Sequence, residues 1–211
     1  MSSREKGDPM KSLEEKIEKE GLVLPGNVLK VDSFLNHQID PVMTMAMGRE
    51  LIRLFSGVKI DRVLTVEASG IAIGLAAAYY AGAPLVFAKK KKSVLMTEEA
   101  YTADVYSYTK KETNTIAVLK KFLPKGEQVL IVDDFLANGE ASLGMAELVR
   151  KAGSQVAGIG IAVDKAFQRG HDRLIEAGYR LESLAVIDSL DGGKVHFRRG
   201  GKDGEEEAHE V

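Results

Sequence analysis

The chain has 211 residues, with 29 Lys and Arg against 31 Asp and Glu and a formal charge of -2 at pH 7. That balance supplies no basic excess for a nucleic-acid backbone, and the length suits one domain with a sizeable core. Cysteine is absent, which excludes disulfides, thiolate metal sites and a thiol nucleophile; no apolar run reaches signal-peptide or transmembrane character, so a cytoplasmic protein with no membrane partner is expected.

Residues 1–11 are polar and unpatterned and read as a disordered leader. Ser12 with Glu15 three residues later suggests a capping box for a helix through Glu20, closed by Gly21. Asp40 followed by Pro41 is a second helix start, an N-cap with proline at the first helical position. Behind it Met43, Met47, Leu51, Leu54 and Phe55 recur at helical spacing, so the methionines are core filler.

From Arg62 the pattern alternates. Val63–Val66 reads as a strand, Ile71–Ala81 as a helix and Leu85–Ala88 as a strand, followed by the lysine run Lys89–Lys92. Ser93–Lys111 has weak periodicity and reads as a long loop, which in a compact domain is usually a lid or a binding loop. Strands at Ile116–Leu119 and Val129–Val132 follow, then a helix Glu140–Lys151 and a strand Val156–Val163. A short helix near Asp172–Ala177 and a strand near Ser183–Ile187 close the domain. The fold class is α/β, a mostly parallel twisted sheet flanked by helices, with ligands at the carboxyl ends of the strands. The glycine-rich acidic residues 200–211 read as a disordered tail. His37 and His171 have no second histidine or carboxylate at ligand spacing, so neither suggests a metal site.

The most informative stretch is Val129–Ala141, VLIVDDFLANGEA. Four β-branched or aliphatic residues form a buried strand, and Asp133 and Asp134 sit at its end. A short loop with Gly139 leads into the Glu140 helix. Backbone N–H groups in such a turn, with a helix dipole behind them, make a site for a phosphate. The two carboxylates would repel that phosphate and suit hydroxyl groups or a metal instead. A ribose 5-phosphate carries vicinal hydroxyls beside a phosphate.

This segment resembles the phosphoribosyl-diphosphate (PRPP) signature of the type I phosphoribosyltransferases. LKVDSFLNHQIDP (Leu29 to Pro41) and GIGIAVDKAFQ (Gly158 to Gln168) are similar to the base-contacting segments of the bacterial xanthine-specific branch. The resemblance runs from about Leu13 to Phe197 and implies a type I phosphoribosyltransferase fold over residues 12–199, with a small N-terminal hood lobe from about 12–41 plus C-terminal elements. It also implies transfer of ribose 5-phosphate from PRPP to xanthine, with magnesium carried by PRPP and no metal held directly by protein. A homodimer is expected on the same ground.

The resemblance gives Asp133 and Asp134 the catalytic role of holding the ribose hydroxyls, and Ala137, Asn138, Gly139, Glu140 and Ala141 the 5-phosphate. Ser69 and Gly70, which alone read as a tight βα corner, become the diphosphate loop. Lys89, Lys90 and Tyr106 fall where the family has its flap over the diphosphate. Leu29, Asn36 and Lys165 match base-binding positions; an ammonium only donates, so Lys165 favours a 6-oxopurine over adenine. Phe34 and Phe167 are read as core rather than as base-stacking residues.

Two departures bear on the base and on the phosphate. Ala137 stands where hypoxanthine-guanine enzymes have an aspartate that assists proton loss, and Ala141 replaces a threonine that many relatives carry in the loop. Guanine or hypoxanthine as the base, and a PRPP-sensing regulator of the same fold, are the alternatives.

Overall fold

The structure, a computed structural model, describes residues 9–90, 99–107 and 111–198. The leader before residue 9, the tail from 199, Lys91, Lys92 and the rest of 91–98, and residues 108–110 lie outside the described residues.

Helix α1 spans Pro9–Glu20, and a two-stranded hairpin, β1 (Leu22–Leu24) and β2 (Val28–Lys30), follows it. The expected capping box at Ser12 is not the start of the helix. Pro9 occupies its first position, where a fixed φ and a missing N–H cost nothing, so Ser12 falls inside. One π-type turn, Asp32–Asn36, leads to α2 (Pro41–Leu54). Here the Asp40 cap is as expected: its Oδ1 accepts the N–H groups of Val42 and Met43, each at 3.1 Å.

The remaining elements are β3 (Arg62–Val66), α3 (Gly70–Ala81), β4 (Leu85–Lys90), β5 (Ala100–Ser107), β6 (Glu112–Leu119), β7 (Gln128–Leu136), α4 (Glu140–Lys151), β8 (Gln155–Lys165), α5 (Gly170–Glu176), β9 (Leu181–Ser189) and β10 (His196–Phe197). Eight strands form one sheet in the order β10-β9-β8-β7-β3-β4-β6-β5. The inner run β9-β8-β7-β3-β4 is parallel, and β10, β6 and β5 join antiparallel at the two sides.

Apolar residues fill both faces, as a parallel sheet requires. On one face Met47 and Leu51 of α2, Phe55 at its C-cap, and Ile73 and Ala77 of α3 pack with Leu13, Ile17 and Phe34 of the N-terminal segment. On the other, Met145, Leu148 and Val149 of α4 and Leu174 of α5 cover Ile131, Ile159 and Ile161. Phe34 is fully buried and Phe167 packs at the margin of the first core, in line with a packing role for both.

The segment expected to be a long loop contains β5, which pairs residue by residue with β6 from Ala100↔Leu119 to Ser107↔Glu112. Its sequence, AYTADVYS, has too little hydrophobic contrast to announce a strand. Distant chain supplies the strand's stability: β6 gives the hydrogen bonds, and Val105 packs closely against Gly144 of α4.

Candidate active site

Strand β7 is buried from Val129 to Val132 and runs between β3 and β8, so its carboxyl end opens at the middle of the sheet. Asp133 and Asp134 occupy that end and are both buried, at 4% and 6% exposure. Asp133 Oδ1 accepts the N–H of Asp134 at 3.1 Å. Burial, reinforced by the neighbouring Asp134 charge, pushes the Asp133 carboxyl well above the usual carboxylate range.

The turn from β3 into α3 meets this pair from the side. Ser69 Oγ donates to Asp134 Oδ1 at 3.0 Å. The Glu67–Ala68 peptide is cis, and Glu67 Oε1 accepts the backbone N–H of Lys90 at 2.8 Å, which ties the turn to the end of β4. At Gly70 an added Cβ would lie 2.7 Å from Asp133 Oδ1 and 2.1 Å from the Thr65 hydroxyl. Only hydrogen fits there, and the first turn of α3 therefore rests directly on the acidic pair.

Beyond Leu136 the chain turns through Ala137, Asn138 and Gly139 into α4. Gly139 has a φ of 82°, a left-handed conformation that glycine adopts without strain. The loop and the start of α4 line a cleft of about 330 Å³ together with Phe135, Lys90, Tyr106 and Asn114. Backbone N–H groups, a helix N-terminus and an ammonium around one opening make a setting for an anion.

Most of the residues expected from sequence thus gather in one place. Ala137, Asn138, Gly139, Glu140, Ala141, Lys90 and Tyr106 share the cleft, and Ser69, Gly70, Asp133 and Asp134 form the contiguous polar cluster beside it. Lys165, at the end of β8, is half-buried and its pKa is lowered by desolvation; its ammonium lies 5.2 Å from the centre of the Phe135 ring. Lys89 is not brought to the cleft: its ammonium sits 5.8 Å over Phe87, because neighbouring residues of a strand point to opposite faces. Leu29 is buried in the hairpin and Asn36 is exposed at the end of the π-type turn, and neither lines the cleft.

Phe135 and Asn114 line the cleft without having been assigned to it from sequence, and away from the cleft His171 gains a partner that its spacing did not suggest. Phe135 had a signal, since it follows the acidic pair directly. Asn114 had none, because only the β5–β6 register, which sets it opposite Val105, carries it to the cleft. His171 had no partner by spacing, yet its Nδ1 lies 2.6 Å from Oδ2 of the fully buried Asp164, which also accepts from Ser183 at 3.2 Å. Burial raises the Asp164 pKa, and the hydrogen bond with His171 opposes that rise.

A mostly parallel sheet with this acidic pair, turn and anion cleft at its carboxyl edge suits a phosphorylated sugar. Residues 42–181 match the model of the phosphoribosyl transferase domain, and the chain belongs to the phosphoribosyltransferase family. Among its relatives it is 56% identical over 188 residues to a xanthine phosphoribosyltransferase of Lactobacillus delbrueckii subsp. bulgaricus, covering 89% of this chain and 100% of that one. It is 54% identical to the xanthine phosphoribosyltransferase of Lactiplantibacillus plantarum, covering 89% and 96% respectively. Among solved structures, adenine phosphoribosyltransferase from Rhodothermus marinus superposes with a TM-score of 0.69 at 22% identity, over 84% of this chain and 99% of that chain. That last likeness concerns the fold, which is of the type I phosphoribosyltransferase kind.

Proposed function

We propose that this enzyme transfers the ribose 5-phosphate of PRPP to xanthine, giving xanthosine 5′-monophosphate and diphosphate. The observation that carries the reading is identity of 56% extending over the full length of a xanthine phosphoribosyltransferase, so that hood, flap and base-side segments are all included.

In this reading the anomeric carbon gains oxocarbenium character as diphosphate departs, and the purine attacks from the opposite face. Positioning and electrostatics supply the catalysis, without a covalent nucleophile. Asp133 and Asp134 hold the ribose hydroxyls and favour a positive sugar. The amides of the 137–141 loop take the 5-phosphate, while Ser69, Gly70 and Lys90 face the diphosphate, with Tyr106 on the flap strand above. Lys165 donates to the 6-oxo group of the base, and Asn36 pairs with the 2-oxo group that distinguishes xanthine from hypoxanthine.

Magnesium is expected to enter with PRPP. Among the described residues no group of three or more acidic or histidine side chains could hold a metal ion alone. Carried on diphosphate and ribose oxygens and water rather than on protein side chains, it would neutralise charge on the departing diphosphate, while Asp133 and Asp134 would hold the ribose hydroxyls. A homodimer is part of the same proposal. It is supported by α3, which exposes Leu75 at 60% and Tyr79 at 70%, four residues apart on one face of the helix.

Diphosphate release from PRPP and magnesium, measured in parallel with xanthine, guanine, hypoxanthine and adenine, tests the assignment. A kcat/KM for xanthine well above the other three is expected. A preference for guanine or hypoxanthine would discard the base while keeping the reaction. PRPP binding without turnover of any of the four would replace the enzyme with a regulator.

A further inference from the structure

Helix α5 stands behind the loop that connects β7 to α4, and its contacts are made to that loop's backbone. Gly170 donates its N–H to the Ala137 carbonyl at 2.9 Å. Arg173 Nη1 donates to the Asn138 carbonyl at 2.5 Å and to Glu140 Oε1 at 2.5 Å. The approach is backbone to backbone: a Cβ on Gly170 would lie 2.4 Å from the Ala137 oxygen and 2.7 Å from the Gly139 nitrogen.

These contacts determine where the loop amides point. Across a trans peptide the C=O and the next N–H are directed oppositely. With the carbonyls of Ala137 and Asn138 turned toward α5, the N–H groups of Asn138 and Gly139 are turned away from it. That is the side on which the loop lines the cleft.

Glu140 presents a second problem. It is the first residue of α4 and lines the same cleft, so its carboxylate would oppose any phosphate held by the loop. Arg173 pairs with it, and both side chains are largely withdrawn from solvent, at 31% and 23% exposure.

We propose that Arg173 is a positioning residue for the 5-phosphate loop, which orients the Asn138 peptide and cancels the charge of Glu140 so that the loop amides can donate to the phosphate of PRPP. Arg173 does not line the cleft and acts through the loop alone. The inference rests on the reaction proposed above and adds to it a requirement outside the PRPP signature.

Steady-state kinetics of the wild type, Arg173→Gln, Arg173→Lys, Glu140→Gln and the Glu140→Gln/Arg173→Gln pair test it, with melting temperatures recorded alongside. Arg173→Gln should raise KM for PRPP about tenfold, the scale of one charge-assisted hydrogen bond, with kcat and KM for xanthine within about twofold. Arg173→Lys should recover part of the loss. The double variant should lie closer to wild type than Arg173→Gln, because no uncompensated carboxylate remains beside the loop. If Arg173→Gln does not fold, Arg173→Lys carries the comparison. A lowered melting temperature with unchanged KM for PRPP would overturn the inference and leave Arg173 a structural residue. A wild type that turns over no purine with PRPP would overturn the parent reading instead.

Discussion

The hydroxyl of Ser69 and the carboxylate of Asp134 lie 3.0 Å apart although 65 residues separate them in the chain, and this bond joins the turn after β3 to the acidic pair of β7. It gives the Asp134 carboxylate a fixed direction before any sugar arrives. Ser69→Ala removes one hydrogen bond of about 1 kcal/mol and leaves Asp134 free to rotate. The expected result is a kcat/KM for PRPP lower by roughly five- to tenfold, with a change in melting temperature of at most a few degrees. Equal kinetics for the alanine variant would show that the bond has no part in preorganising the site.

Asp133 is expected to lower stability at neutral pH in the free enzyme. Its folded pKa is raised, while in the unfolded chain it releases its proton near the ordinary value of about 3.9. Above that value the unfolded form binds fewer protons than the folded form, so stability falls as pH rises toward the folded pKa. Asp133→Asn removes this decline and keeps an oxygen for the Asp134 N–H. Calorimetry from pH 4 to pH 8 should find the variant melting a few degrees above wild type at pH 7, on a scale of about 2–4 °C per kcal/mol, with the gap closing near pH 4. Activity should fall by about two orders of magnitude or more, the usual scale for losing a preorganised electrostatic partner. Parallel pH profiles for the two proteins would contradict the account.

Lys165 should act on the base and not on PRPP. Lys165→Met keeps an unbranched side chain of similar length but removes the ammonium that donates and that sits over the Phe135 ring. KM for xanthine is expected to rise by about tenfold or more, while KM for PRPP stays within about twofold. Because burial lowers the Lys165 pKa, the wild-type kcat/KM for the base should decline on the alkaline side below the free-lysine value of about 10.4. A variant whose two KM values rise together would remove Lys165 from the base site.

The apolar face of α3 predicts association. Light scattering at micromolar concentration should give a mass twice the chain's 22.9 kDa. Leu75→Glu combined with Tyr79→Glu should yield monomers, since charges on both exposed positions oppose burial of that face. A monomeric wild type would remove the homodimer from the proposal.

Much of the site was legible along the chain because its chemistry is local. Asp133, Asp134 and the loop to Ala141 are consecutive, and a buried strand followed by a glycine turn and a helix tells where they point. The same holds for the Asp40 cap with Pro41 at the first position of α2, and for the β-branched runs that become parallel strands. Tertiary structure alone decided what pairing brings in from a distance. The strand β5 exists because β6 hydrogen-bonds it and α4 covers it, so Tyr106 and Asn114 reach the cleft through a register that no local pattern encodes. Alternation along β4 sent Lys90 to the cleft and Lys89 over Phe87, a choice hidden inside a run of identical residues. The bracing of the phosphate loop by Gly170 and Arg173 likewise depends on α5 packing against β8 and β9, because a sequence lists neighbours along one dimension and these contacts form across the other two.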